Sequence, residues 1–144
     1  MDDHEARRRF AGAAVARLAT ADRSGRPHIV PIVFALSPPG AGAADHVYSA
    51  VDHKPKRSTA LRRLANVEEN PSVALLVDHY GDDWDELWWV RADGLARVVG
   101  PATDEAALAR RLLADRYPQY RDRPPSGPVL AVRVVRWSGW SARG

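Results

Sequence analysis

Residues 51–59, Val-Asp-His-Lys-Pro-Lys-Arg-Ser-Thr, hold the only two lysines of the chain, Lys54 and Lys56, in a protein that otherwise takes its positive charge from nineteen arginines. Arg57 stands beside them, and Arg62 and Arg63 follow, so five cations face a single acid, Asp52, between residues 51 and 63. Ser58 or Thr59 is placed to cap a helix carrying Leu61, Leu64, Ala65 and Val67, which Asn70-Pro71 would stop. A helix start leaves backbone N–H groups without partners and points the positive end of its dipole outward. Ammonium charge, free donors and dipole therefore coincide, and together they favour a phosphate. A solvated basic loop is the competing reading.

Other chemistries find less support. There is no cysteine, which removes disulfides, thiolate nucleophiles, zinc fingers and iron–sulfur ligation at once. The histidines at 4, 28, 46, 53 and 79 stand apart, with neither the helical spacing of a metal site nor a G-x-S-x-G elbow to serve. His28 and His46 could meet across strands as an accidental pair. No G-x-G-x-x-G or Walker motif offers a nucleotide site. Tyr48 and His53 are candidate proton donors, with structural roles as the alternative for each. Trp88 and Trp89 must point to opposite faces of one strand, one toward the core and the other toward an interface or ligand. Trp137 and Trp140 imply that the C-terminal stretch docks on something, and Trp84 sits in the acidic loop Gly-Asp-Asp-Trp-Asp.

The elements that must position these groups follow from periodicity. Ala6, Phe10 and Ala13 or Ala14 predict an amphipathic helix over 3–14, after which Ala16, Leu18 and Thr20 alternate as a strand ended by the turn at 22–27. A strand is expected over 28–36, with Pro31 demanding an edge, a bulge or a foreign neighbour. Further strands are expected over 45–51, 72–80, 86–100 and 129–137, and a helix over 103–116 with Thr103 as its cap. Residues 117–128 read as irregular. The expectation is one domain over 1–144, mainly β with α+β character: about six antiparallel strands with peripheral helices.

In order and spacing, Gly25-x-Pro27, Pro31, a strand ending Tyr48-Ser49, the Lys/Arg cluster, the Leu-rich helix and Asn70-Pro71 resemble the pyridoxamine 5′-phosphate oxidase-like flavin and deazaflavin enzymes. The likeness spans roughly residues 10–138 and is nearest to the branch that uses coenzyme F420. That resemblance implies a split β-barrel and a homodimer with its cofactor sites at the subunit interface. It implies that Val30, Pro31 and Ile32 border the ring, that Ser49 and Ala50 line the pocket, and that Lys54, Lys56, Arg57 and Ser58 hold the phosphate; Trp88 is expected as the tryptophan of its pair that faces the cofactor. The implied reaction is hydride transfer between F420 and an unsaturated acceptor.

Alternatives stay open at this level: FMN in place of F420, a haem or bilin protein of the same fold, or a small basic nucleic-acid binder using 53–63 and the arginines of 129–137. The charged N-terminal decapeptide has no apolar signal region, and no segment approaches about 18 consecutive apolar residues, so a cytoplasmic protein without a membrane span is expected.

Overall fold

The computed structural model describes residues 1–40, 44–51 and 59–144. Helix α1 (Asp3–Gly12) begins at Asp2, whose side chain accepts from the Glu5 N–H, and buries Ala6 and Phe10. Strand β1 (Ala16–Ala21) buries Ala16, Leu18 and Thr20 on one face, as alternation demands. Between β1 and β2 (Pro27–Ile32) the Asp22 carboxylate accepts from Ser24 N–H, Ser24 Oγ and Arg26 N–H, each within 2.9 Å, while Gly25 takes φ 87°, a region glycine occupies without steric cost. These bonds hold the Asp22 carboxyl below its usual range.

The single strand expected over 28–36 is two. After Ile32 the chain leaves the ladder, and β3 contains only Ala35–Leu36. The remaining strands are β4 (His46–Ala50), β5 (Ser72–His79), β6 (Trp88–Val99) and β7 (Val129–Ser141). They join in the order β2-β1-β5-β6-β7-β4-β3, one antiparallel sheet of seven strands where about six were expected. This order dictates the shape. β2 and β3 lie at opposite edges, yet only residues 33–34 separate them, and three peptide steps reach at most about 11 Å. A flat sheet would hold those edges about 29 Å apart, at roughly 4.8 Å per strand spacing. The sheet must therefore curl until its two edges meet, which produces a split barrel. Pro31 then sits where a residue without an N–H is tolerated, on an edge strand that pairs on one side only.

The barrel interior is filled by Leu18, Leu75, Val90, Leu130 and Val132. Phe10 closes one end, its ring 4.8 Å from Phe34 and 5.2 Å from Trp137. Strand β7 runs four residues past the expected end at 137, pairing Trp140 with Trp89 and Ser141 with Trp88. Ladder hydrogen bonding, rather than docking by the tryptophans alone, anchors this stretch. Helices α2 (Thr59–Glu69), α3 (Asp104–Arg116) and α4 (Pro118–Asp122) lie outside the sheet, and Trp84–Glu86 forms one 3-10 turn. α3 starts as predicted, with Thr103 Oγ1 accepting from the Ala106 N–H at 3.1 Å. α4 replaces the irregular stretch expected after it. Among the described residues no helix is long and apolar enough to cross a membrane.

Candidate functional site

The break between β2 and β3 creates the most chemically suggestive feature of the surface. Val33 and Phe34 leave the sheet ladder, so their backbone groups need other partners. Ser49 Oγ donates to the Val33 carbonyl at 3.0 Å. Arg116 donates to the Phe34 carbonyl at 2.8 Å and, with its other terminal nitrogen, to the Ala13 carbonyl at 2.8 Å. The Tyr117 hydroxyl accepts from the Phe34 N–H at 3.2 Å and lies 3.0 Å from the carbonyls of Phe34 and Ala14. The Arg116 guanidinium also lies over the Phe34 and Tyr117 rings, at 5.0 and 5.2 Å. Side chains at the α3–α4 junction thus hold the bend that brings the sheet edges together.

Beside that bend lies a cleft of about 370 Å³, within the roughly 300–1,000 Å³ range of small-molecule sites. Pro31, Ile32 and Val33 form one wall, Ser49 and Ala50 a second, and Arg63 of α2 with Tyr117, Gln119 and Tyr120 close it. The wall of Pro31–Val33 is apolar, Arg63 brings a cation, and the Tyr117 and Tyr120 rings meet edge to face at 6.1 Å. A flat apolar ring with an anionic substituent matches such a lining.

Of the ten residues singled out for a cofactor, Pro31, Ile32, Ser49 and Ala50 lie together in this cleft. Val30 shares the inward face of β2 with Ile32, packs against the barrel core and does not line the cleft. Trp88 is brought elsewhere: it lines a second cleft between the end of α1 and β5, beneath the Arg9 guanidinium at 5.2 Å from its ring. Lys54, Lys56, Arg57 and Ser58 lie outside the described residues, as does His53. Sequence reasoning left out Tyr117, Gln119 and Tyr120. The available signal was Pro118, a residue at home in the first turn of a helix, which places tyrosines three apart on one face.

Tyr48, a neighbour of the cleft residue Ser49, belongs to a different arrangement. Its hydroxyl donates to Glu105 at 3.1 Å, and Glu105 also accepts two bonds of 2.7 Å from Arg97. Burial, reinforced by the adjacent carboxylate, pushes the Tyr48 phenol up to about 12, so it holds its proton at neutral pH. Arg97 is the main cause keeping the Glu105 carboxyl below its usual range. His46 stacks on Tyr48 at 6.0 Å rather than meeting His28, and among the described residues no cluster of three metal-ligating side chains occurs.

A curled seven-stranded antiparallel sheet with a cleft where its edges meet defines a split-barrel protein. The chain matches the family model of pyridoxamine 5′-phosphate oxidase over residues 2–141 and belongs to that family. A conserved protein of unknown function from Corynebacterium diphtheriae has a similar structure, at 26% identity and TM-score 0.67, over 96% of this chain and 93% of that one. An FAD-binding protein from Mesorhizobium loti shares 21% identity and TM-score 0.71, covering 96% and 92%. The haem-storage protein HutZ from Vibrio cholerae shares 14% identity and TM-score 0.69, covering 96% and 93%. No curated protein matches the chain.

Proposed function

We propose that this protein is an oxidoreductase that seats the ring of coenzyme F420 in the cleft between β2, β4 and α4 and exchanges hydride with an unsaturated small molecule. One observation carries the reading: the cleft joins an apolar edge wall without an N–H at Pro31 to a cation at Arg63 and two tyrosine rings. When bound, such a cofactor supplies a ring carbon that gives or takes hydride. The chain's own residues position and shield. Ile32 and Val33 exclude water from one side of the cleft. The Ser49 and Tyr117 hydroxyls are committed to backbone partners, so they hold the wall in place instead of moving protons. Lys54, Lys56, Arg57 and Ser58 would take the phosphate, on the strength of their charge and their place ahead of α2. The assembly proposed is a homodimer in the cytoplasm. Its support is the exposed outer face of β1, β2, β5 and β6, where Ile29 and Tyr80 are 64% and 61% exposed beside a cleft reaching Trp89.

A flavin, FMN or FAD, is the second reading, favoured by the fold shared with the Mesorhizobium loti protein. Titrating purified protein with F420, FMN, FAD and haemin, read by tryptophan fluorescence and cofactor absorbance, separates these cases. F420 is expected to bind with micromolar affinity, and Lys54→Ala with Lys56→Ala to weaken it strongly. Unchanged affinity in the double variant removes the phosphate clamp. A copurifying flavin replaces F420, and a signal only with DNA, falling steeply with salt, replaces the enzyme altogether.

A further inference from the structure

We propose that the second cleft, between the end of α1 and β5, binds a small organic acid, with its carboxylate on Arg9 and its apolar body against Trp88. The cleft measures about 580 Å³, within the roughly 300–1,000 Å³ range of small-molecule sites. Its chemistry centres on how Arg9 is held. Arg9 Nε donates to Glu5 at 2.7 Å, and the guanidinium lies 5.2 Å from the centre of the Trp88 ring. Both contacts fix the group, and neither uses its two terminal nitrogens, which have no hydrogen-bond partner among the described residues. A half-buried guanidinium whose outer edge carries parallel, uncommitted N–H donors is preorganised for the two oxygens of a carboxylate.

The rest of the lining sets the charge and shape of the occupant. Glu5 accepts from Arg8 as well as Arg9, so one acid answers two cations and a small positive excess remains. That excess suits a monoanion better than a phosphate dianion, which asks for more than one unpaired cation. Asp78 also lines the cleft, but strand alternation turns its side chain to the outer face of the sheet, where it borders the cleft containing Trp89. His79 and Trp88, paired across β5 and β6, share the face that looks on α1. Ala13, Ala14 and Val15 supply an apolar wall. That wall is fixed from behind, since Arg116 donates to the Ala13 carbonyl at 2.8 Å and the Tyr117 hydroxyl lies 3.0 Å from the Ala14 carbonyl. An acid carrying an aryl or alkyl body therefore finds a forked donor at one end and apolar surface along the other. This cleft shares no lining residue with the ring cleft, so the inference stands apart from the cofactor reading.

The test titrates the intact, isotopically labelled protein with phenylacetate and with its uncharged amide, phenylacetamide, and follows the tryptophan indole N–H signals by NMR. Trp88→Phe identifies the Trp88 signal among the five. The acid is expected to move that signal with a dissociation constant of about 1 mM, and the amide to bind about tenfold more weakly. Arg9→Gln should bring the acid down to the affinity of the amide, which itself stays unchanged. Should Arg9→Gln fold poorly, Gly12→Glu serves in its place: an added Cβ there meets nothing within 4 Å, and a carboxylate three residues beyond Arg9 competes for the same fork. It should weaken the acid about tenfold while the amide changes less than about twofold. A Trp88 signal unmoved by the acid, equal binding of acid and amide, or an acid preference that survives in a folded variant overturns the site, and none of these outcomes bears on the ring cleft.

Discussion

At the scale of single residues, the Arg97–Glu105–Tyr48 chain makes the most direct prediction, because the two titrating groups move in opposite directions. Glu105 is held low by Arg97, so its contribution to stability is present above the ordinary glutamate range and is lost as pH falls through its folded value. Tyr48 is held high, so its contribution is present below about pH 10 and is lost as pH rises toward about 12. Glu105→Gln should lower the unfolding free energy at neutral pH by roughly 0.5–1 kcal/mol, as for a half-exposed pair, with the gap to wild type in denaturant unfolding closing below about pH 4. Ultraviolet titration should show one tyrosine ionising near pH 12 that Tyr48→Phe removes. A wild type whose tyrosines have all ionised by about pH 11 contradicts the arrangement. In the sequence Tyr48 was a candidate proton donor, but its partner Glu105 lies 57 positions away, and no local spacing connects them.

At the scale of elements, the long β6–β7 ribbon depends on one irregularity. Its register shifts between Asp93 and Gly94, so that Asp93 faces Arg136 while Gly94 faces Val134. There the strands approach so closely that a Cβ on Gly94 would sit 2.6 Å from both the Arg133 carbonyl oxygen and Val132 Cγ1. Backbone cannot yield as a flexible side chain can. Gly94→Ala should therefore cost about 1–3 kcal/mol in denaturant unfolding, whereas Gly12→Ala, where the added carbon meets nothing within 4 Å, should be neutral or mildly stabilising. Equal stability of the two variants would show that the ribbon relaxes at this point. The strand itself was legible from alternating side chains; the bulge was not, since it arises from matching two twisted strands to one curled sheet.

At the scale of the whole molecule, the outer face of the sheet is the proposed seam between two copies. Ile29 on β2 and Tyr80 just past β5 are exposed there, and the nearby cleft of about 440 Å³ has mostly apolar lining with Arg17 and Arg91 at its edges. Ile29→Arg should place like charges across a two-fold contact and halve the mass measured by light scattering. A wild type that already runs as a monomer rules the dimer out. Residue types and their spacing alone determined the helices expected over 3–14 and 103–116, the alternation of the strands, the need of Pro31 for an edge, a bulge or a foreign neighbour, and the family resemblance, because each is written in the side chains of near neighbours. Only the tertiary structure decided that one apolar run splits into both edges of the sheet, and that residues near 31, 49, 63 and 120 surround one cleft. Closure is a property of the full seven-strand order, and what its edges enclose depends on side chains more than fifty positions apart, such as Arg116 and Tyr117, satisfying backbone groups that the ladder has released.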